Sequence, residues 1–337
     1  MTVSVRDVAA LAGVSVGTVS NVLNRPEKVA DETVERVRGA IAQLGFVRND
    51  AARQLRAGSS RSVGLIVLDV GNPFFTDLAR GAEDSAARFG LSVLLGNSDE
   101  NPARESAYLD LFEAQQVTGV LISPLDDASQ RIERLRARGI PTVLVDRRAD
   151  TSRYSSVSVD DVLGARLAIE HLAAVGCAHV AFVGGPQHIR QVSDRLAGAR
   201  SAATGSGIRL EIIDTDSLTV LQGRRAGNSI GQRPAADRPD GVFAANDLLA
   251  LGVLQGLAAT GIRVPDDVAL IGYDDIEFAS SASVSLSSVK QPARLIGEAA
   301  LQLLLDEIDA GDRFEHRHVQ FEPELVVRES TARVLRG

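Results

Sequence analysis

The chain has 337 residues, of which 45% are hydrophobic and 24% charged, and this length predicts two or three domains rather than a single core. We expect no membrane span, because no run of about 18 apolar residues occurs. The start, MTVSVRDVAALAGVS, lacks the basic onset and unbroken apolar stretch of a signal peptide, and the single cysteine, Cys177, cannot form an internal disulfide. These features predict a cytoplasmic protein.

The net charge of −8 at first argues against a nucleic-acid partner, but the charge is unevenly distributed. Residues 1–60 carry eight Lys or Arg against six Asp or Glu, so this segment is +2 and the remainder is −10. A mildly basic segment before an acidic body indicates that only the first segment approaches phosphate, although a split this small also arises by chance.

Two short helices are predicted at the start of the chain. Ser4 and Asp7 have the S-x-x-D spacing of a capping box, which predicts a helix from near Val5 that Gly13 interrupts. Ser15 is a good N-cap for the second helix. Apolar and small residues recur at the spacing that two short, steeply crossing helices require, namely Val8, Ala9, Ala12, Val14, Val19 and Val22. This pattern favours a DNA-binding helix-turn-helix over a helical hairpin with no DNA role.

In a helix-turn-helix, the second helix enters the major groove with its first turns against base edges. Val16, Gly17 and Asn21 are the outward candidates, since an Asn amide can pair with adenine or accept from cytosine, and a Val side chain can contact a thymine methyl. Ser4 and Ser15 complete the set of candidate DNA contacts. Phosphate contacts fit the remaining polar residues of the second helix better, namely Thr18, Ser20 and Asn24.

A third helix and a short connecting segment follow. Asp31 is expected to cap the third helix, which ends at Gly45 and whose inner stripe is Val34, Val37, Ile41 and Leu44. Residues 49–58, NDAARQLRAG, fit either a linker or a short helix that forms when DNA supplies partners. Leu55 lies between Arg53 and Arg56, the composition of a minor-groove wedge flanked by phosphate-binding cations, and Asn49 joins this candidate set.

From Ser62 onward, apolar strand-like segments alternate with helical ones. The predicted strands are residues 63–70, 91–95, 119–122, 142–145, 180–183, 241–244 and 268–272. Continuous apolar strands separated by helices indicate parallel sheets covered on both faces, and there are too many for one comfortable sheet. We therefore expect two doubly wound lobes, with a small-molecule site in the cleft between them at the carboxyl ends of the strands.

Polar and aromatic residues follow several of these strands, and their types suit a sugar, because hydroxyls need fixed hydrogen-bond partners and the CH face needs an aromatic plate. The candidates are Asn72, Phe74, Phe75, Ser123, Asp146, Arg147, Arg195, Asn246, Asp274 and Gln291. Structural explanations remain open: Phe74 and Phe75 also fit a core, and Asp247 is expected to cap the next helix. His316 and His318 fit surface positions better than a metal site, and no catalytic set or cofactor motif occurs.

The segments DVAALAGVSVGTVSNVLN and RVRGAIAQLGFVRNDAARQLRAG closely resemble the head and hinge of the lactose/galactose-repressor family. The resemblance implies an all-α helix-turn-helix head at 1–48, a hinge at 49–60, and an α/β periplasmic-binding-protein-like core at 61–337. The core would have two doubly wound parallel-sheet lobes, about 61–160 with 291–320 and about 161–290 with 321–330. The resemblance also implies a homodimer on near-palindromic operator DNA, with Leu55 inserted at its centre. The chain departs from the family at Val16–Gly17, which leaves the operator sequence open.

The candidate cleft residues are also similar, position by position, to those of ribose-binding proteins and ribose repressors. Ser123 stands where an asparagine is usual, and Leu218 where a phenylalanine is usual. The similarity implies that Leu218 joins the effector-binding set and that a ribose-like pentose is the effector. A related monosaccharide or a nucleoside is the second choice, since one aromatic plate is lost.

The resemblance implies a transcription repressor that a sugar, acting as an inducer, releases from its operator; a corepressor role stays open. A free-standing sugar receptor would need a signal peptide and no DNA-binding head, and a sugar-modifying enzyme would need a catalytic set. Both alternatives therefore fit the sequence less well. The last residues, LVVRESTARVLRG, lack the heptads of a tetramerising coiled coil, so we expect a dimer.

Overall fold

The computed structural model describes residues 3–46, 60–125 and 130–332. The chain divides into two compact units, Met1–Ser59 and Ser60–Gly337. None of the helices in the described ranges is both long enough and apolar enough to cross a bilayer.

Residues 3–46 of the first unit form three α-helices, α1 (Val5–Ala12), α2 (Val16–Asn24) and α3 (Asp31–Leu44). The predicted capping box is confirmed, because the Asp7 carboxylate accepts from the backbone N–H of Ser4 at 2.8 Å and from its hydroxyl at 2.7 Å. Ser15 caps α2 by accepting from the backbone N–H of Thr18. Gly13 ends α1 with φ of 65°, a conformation that glycine adopts without strain.

The three helices share one small apolar core, formed by Val8, Ala9, Ala12, Val19, Val22, Val34, Val37, Ala40 and Phe46. The predicted inner stripe of α3 is confirmed, although Ile41 and Leu44 are only partly buried. The prediction that Asp31 caps α3 is wrong, because Ala30 is the N-cap and Asp31 is the first helical residue. A carboxylate in the first turn stabilises the helix through its dipole, so an acidic residue suits both positions.

The second unit has two lobes, each built on a six-stranded sheet. The first sheet has the order β11-β5-β4-β3-β1-β2, and all its pairings are parallel. Its strands are β1 (Ser62–Val67), β2 (Ser92–Asn97), β3 (Gly119–Ile122), β4 (Thr142–Val145), β5 (Ser155–Val159) and β11 (His318–Phe321). The helices of this lobe are α4 (Pro73–Arg88), α5 (Pro102–Ala114), α6 (Gln130–Ala137) and α12 (Ala293–Ala310).

The second sheet has the order β12-β10-β9-β8-β6-β7 and is parallel except for β12, which runs antiparallel to β10. Its strands are β6 (His179–Val183), β7 (Arg209–Ile213), β8 (Gly241–Ala244), β9 (Ala269–Asp274), β10 (Ser287–Lys290) and β12 (Glu324–Val326). The helices are α7 (Asp161–Ala174), α8 (Arg190–Ser206), α9 (Val220–Gly231), α10 (Asp247–Ala259) and α11 (Glu277–Ser281).

The chain passes between the two sheets three times: after β5, after β10 and after β11. At the first passage Asp160 caps α7 by accepting from the backbone N–H of Leu163 at 2.9 Å. Because both sheets are almost wholly parallel and are joined by short passages, the carboxyl ends of their strands face a common cleft. Residues that follow the strands are therefore positioned at that cleft.

Glycines let α9 and α10 lie unusually close together. A Cβ atom at Gly223 would lie 2.1 Å from the carbonyl oxygen of Leu249, and one at Gly252 would lie 2.1 Å from that of Val220. Since backbone atoms cannot move aside as a flexible side chain can, the two helices require glycine at these positions.

Candidate functional site

A cavity that is partly open to solvent lies between the two lobes. Eight of the predicted effector residues line it, namely Asn72, Phe74, Phe75, Asp146, Arg195, Leu218, Asn246 and Asp274. Five further lining residues were not predicted, namely Leu68, Asp69, Glu100, Ile189 and Gln191. Both lobes thus contribute polar and apolar groups to one concave site, as small-molecule sites usually require.

Three predicted effector residues are buried behind the cavity wall rather than in it. The Gln291 side chain donates to Oδ1 of Asp274 at 2.8 Å and so holds a lining carboxylate in place. Arg147 donates to the carbonyl oxygen of Pro124 at 3.0 Å. Ser123 donates its backbone N–H to Ile66, while its buried hydroxyl has no hydrogen-bond partner among the described residues.

The apolar floor of the cavity comes from the start of α4. Asn72 is the N-cap of this helix, and its side-chain oxygen accepts from the backbone N–H of Phe74 at 3.0 Å. Pro73 occupies the first helical position, where its missing N–H costs no hydrogen bond. This cap fixes Phe74 and Phe75, whose rings meet edge to face with centroids 5.0 Å apart and contribute to both the core and the cavity wall.

Two aspartates at strand ends have strained backbones. Asp146 follows β4 with φ of 57°, and Asp274 ends β9 with φ of 104°. Such conformations are costly for non-glycine residues and are concentrated at functional sites. Burial raises the pKa of both carboxyls, that of Asp146 well above its ordinary value, and nearby Asp161 adds to the effect at Asp146. Oδ1 of Asp146 is buried and has no hydrogen-bond partner among the described residues.

Arg195, in the second turn of α8, is buried among acidic groups. Its Nε donates to Oδ1 of Asp161 at 2.8 Å, and its Nη1 donates to the carbonyl oxygen of Ala245 at 2.6 Å. Its guanidinium also lies 3.7 Å from the ring centroid of Tyr273 and 3.7 Å from Oδ1 of Asp274. Burial lowers the pKa of Arg195, but Asp161 and Asp274 outweigh it and hold the pKa above its ordinary value. The fixed guanidinium can therefore orient an oxygen-rich ligand.

Two neighbouring residues after β8, Asn246 and Asp247, have different structural roles. Asn246 caps α10 by accepting from the backbone N–H of Leu249 at 2.9 Å, and it donates to the carbonyl oxygen of Leu218. The prediction that Asp247 is the cap is therefore wrong. Asp247 is buried and instead accepts from the backbone N–H of Ile276 at 2.8 Å and from the hydroxyl of Ser288 at 2.7 Å.

Direct hydrogen bonds cross the cleft at two pairs of the described lining residues. Nδ2 of Asn72 in the first lobe donates to Oδ2 of Asp274 in the second at 3.0 Å. In the opposite direction, Nε2 of Gln191 on α8 donates to the backbone carbonyl and to Oδ2 of Asp146, at 2.7 and 2.8 Å. Gln191 was not predicted, because it lies in the first turn of a helix, eight residues after the end of β6, and not next to a strand end.

Asp69 and Glu100 lie shortly after the ends of β1 and β2, the same kind of position that the other predicted lining residues occupy. Burial raises the pKa of Glu100 to about 7, and the carboxyls of Asp69 and Asp99 add to the effect. Position after a strand therefore indicates both residues, although Asp69 falls inside the predicted strand 63–70.

On α2, Val16, Gly17 and Asn21 are exposed, with 46% of Val16 accessible. Thr18 and Ser20 are half-buried, and the Asn24 amide donates to the carbonyl oxygen of Ser20 at 2.8 Å. Ser4 and Ser15 are engaged in the caps of α1 and α2. Asn49, Arg53, Leu55 and Arg56 lie outside the described residues, so their DNA contacts stay predictions.

His316 and His318 pair with the serines of β5. The ring Nδ1 of His318 is 2.8 Å from Oγ of Ser156, and Nε2 of His316 is 2.7 Å from Nη2 of Arg136. Across residues 3–46, 60–125 and 130–332, no group of three or more His, Cys, Asp or Glu side chains is arranged to hold a metal ion.

Comparison with known proteins assigns both units. Residues 4–49 match the model of bacterial regulatory proteins of the lacI family, and residues 169–331 match a periplasmic binding protein-like domain. The ribose operon repressor of Bacillus subtilis (strain 168) is 36% identical over 303 residues, which cover 90% of each chain. The chain belongs to the lacI family. The predicted family and fold class are thereby confirmed, and this lacI-family protein is a DNA-binding transcription repressor rather than an enzyme.

Two solved structures of lacI-family proteins resemble this one. The lac repressor dimer bound to operator and the anti-inducer ONPF has a TM-score of 0.82 and 27% identity, covering 98% of this chain and 99% of its own. A lacI-family regulator from Enterococcus faecium with bound ribose has a TM-score of 0.73 and 28% identity, covering 80% and 98%. The lacI-family member described here thus shares its architecture with both.

Proposed function

We propose that a small sugar, a ribose-like pentose in the first instance, binds in the interlobe cavity of this repressor and acts as an inducer. The observation that carries the proposal is the combination of an edge-to-face phenylalanine pair with buried carboxylates and a fixed guanidinium around one cavity. A sugar ring needs both kinds of surface. The ribose bound to the Enterococcus faecium relative and the name of the Bacillus subtilis relative support the choice of a pentose.

The proposed role of each lining residue follows from its position. Phe74 and Phe75 would contact the CH face of the sugar, and Asn72 and Asp146 would bind hydroxyls from the first lobe. Arg195, Asn246, Asp274 and Leu218 would contact the sugar from the second lobe. Gln291 would act from behind the wall, by holding Asp274 in place. A ligand that contacts both lobes stabilises the arrangement in which the lobes are close together.

We further propose that the repressor acts as a cytoplasmic homodimer on a near-palindromic operator, with 1–48 as its DNA-binding domain, 49–60 as its hinge and 61–337 as its effector-binding and dimerisation core. Val16, Gly17 and Asn21 would face base edges, and Thr18, Ser20 and Asn24 would contact phosphates. The lac repressor relative, a dimer bound to operator, supports this assembly. Coupling between effector and operator sites typically amounts to about 1–3 kcal/mol, or roughly 5–150-fold in affinity.

Operator release by the sugar tests the proposal. Fluorescence anisotropy would follow the full-length protein on duplexes that flank its own gene while D-ribose is added, and the complex should weaken. In Asp146→Asn, operator affinity without sugar should stay unchanged while the ribose response shifts to at least about tenfold higher sugar concentration. Asp84→Asn, on the exposed face of α4, is the control and should respond like the wild type. A complex that ribose tightens, or leaves unchanged, contradicts the inducer assignment.

A further inference from the structure

The cavity is lined by four carboxyl groups but by a single guanidinium. The carboxyls belong to Asp69, Glu100, Asp146 and Asp274. The one guanidinium, that of Arg195, already contacts Asp161, Ala245 and Asp274. An incoming anion would therefore meet carboxyl groups on several sides, with that of Glu100 ionised mainly above its pKa of about 7, and a cation whose charge is largely compensated.

The amide groups of the lining add little donor capacity, because each NH2 already uses at least one of its two N–H groups within the protein. The side-chain nitrogens of Asn72, Gln191 and Asn246 each already donate to a protein oxygen. Buried acceptor capacity, in contrast, remains at Oδ1 of Asp146, which has no hydrogen-bond partner among the described residues. The cavity thus offers a ligand mainly acceptor oxygens, which suit the O–H donors of a polyol and not the acceptor oxygens of a phosphate.

Asp69 and Glu100 occupy one side of this cavity, in the first lobe. The backbone N–H of Glu100 donates to the carbonyl oxygen of Leu68 at 3.2 Å, which brings the two acidic residues together, and Oδ1 of Asp69 accepts from the backbone N–H of Gly71 at 2.8 Å. Both side chains are half-buried. The nearby guanidinium of Arg104 pairs with Asp99 instead, through Oδ2.

We propose that Asp69 and Glu100 act as a charge filter, which makes the cavity select an uncharged, hydroxyl-rich sugar and reject the corresponding sugar phosphate. This inference rests on the proposed function, namely that the cavity binds a sugar. The mechanism is selectivity by repulsion: a neutral sugar donates hydroxyl protons to the carboxyl oxygens, whereas a phosphate dianion adds charge of the same sign where water is partly excluded. The two residues line the cavity from the first lobe, and Arg195 lines it from the second.

Paired titrations test the filter. Isothermal titration calorimetry on the full-length protein at pH 8, above the pKa of Glu100 at about 7, would use three matched pairs: D-ribose with D-ribose 5-phosphate, D-glucose with D-glucose 6-phosphate, and adenosine with AMP. In any pair that binds, the neutral compound should bind the wild type about 100-fold or more tightly than its phosphate. In Asp69→Asn/Glu100→Gln, which keeps the size of both side chains and one acceptor oxygen in each, this preference should fall by at least about tenfold.

The controls distinguish a failure of the charge filter from a failure of sugar binding itself. Asp84→Asn, which removes one carboxylate from the same lobe outside the cavity, should keep the wild-type preference, and an unchanged thermal midpoint would show that the double variant is folded. Equal affinity of the wild type for both members of a pair, or an undiminished preference in the double variant, overturns the filter while the sugar-binding function stands. If no neutral or phosphorylated compound binds the wild type, the proposed function fails, and the filter fails with it.

Discussion

Nδ2 of Asn72 donates to Oδ2 of Asp274 at 3.0 Å, and this hydrogen bond joins the cap of α4 in one lobe to the end of β9 in the other. A second hydrogen-bonded pair, Gln191 and Asp146, joins α8 of the second lobe to the end of β4 in the first. Protein groups alone therefore hold part of the interface between the lobes. A ligand in the cavity would add contacts to an arrangement that these two links already favour.

Gln191→Ala should weaken sugar binding and should not weaken operator binding in the absence of sugar. The substitution removes both hydrogen bonds to Asp146, so the arrangement with close lobes becomes less populated and the apparent affinity for the sugar falls by about tenfold. Calorimetry with D-ribose measures this loss. Gln187→Ala is the matched control, because Gln187 donates to Asp214 within the same lobe. Equal losses in both variants would show that the cross-lobe link has no specific role.

Leu55→Ala should weaken specific operator binding by about tenfold while leaving sugar affinity unchanged. The expectation comes from the sequence, in which Leu55 lies between Arg53 and Arg56 as a wedge between base steps would. Anisotropy on operator and on a scrambled duplex of equal length measures the change, and only the operator complex should respond. A loss of the same size on both duplexes would point to a general phosphate contact instead.

The sequence predicted the apolar strands of both lobes but not the polar ones. The predicted strands 63–70 and 268–272 are apolar apart from Asp69, whereas β5 has the sequence SSVSV. Ser155 and Ser156 can be buried because their hydroxyls form hydrogen bonds with His316 and His318, which are about 160 residues away in the sequence. Only tertiary contacts could reveal that these polar residues form a strand.

The site likewise contains residues that the sequence predicts and residues that only tertiary contacts reveal. Asn72, Asp146 and Asp274 were predicted because they lie at or shortly after the ends of strands, and topology alone places such positions at the cleft. Gln191 could not be found that way, since its role depends on how closely the second lobe approaches Asp146. Asp247 looked like a cap, yet Asn246 takes that role, because either side chain can cap a helix and only the loop geometry decides between them.

Glu100→Gln should change how stability depends on pH. The folded protein holds the pKa of Glu100 at about 7, above the ordinary value of 4.5, so the folded state binds an extra proton in this window and loses stability as pH rises through it. The variant lacks this titration. Its free energy of unfolding relative to the wild type should therefore rise between pH 4.5 and 8, by on the order of 1 kcal/mol after allowance for partial exposure.

Urea unfolding at a series of pH values, followed by circular dichroism, measures this difference for Glu100→Gln. Glu83→Gln, on the exposed face of α4, is the control and should differ from the wild type by a constant amount across the series. If the two variants share one pH profile, the Glu100 carboxyl does not titrate in this window.

Gly252→Ala should destabilise the second lobe by about 1–3 kcal/mol, because the new methyl group would lie 2.1 Å from the carbonyl oxygen of Val220 and 2.6 Å from the backbone nitrogen of Arg224. Thermal unfolding followed by circular dichroism should show a lower midpoint. Gly205→Ala is the matched control in α8, where nothing lies within 4 Å of the added methyl, and the higher helix propensity of alanine should leave the midpoint unchanged or raise it. A midpoint for Gly252→Ala as high as that of the control would mean that α9 and α10 can separate at little cost, and the close approach of these helices would then not be what requires glycine there.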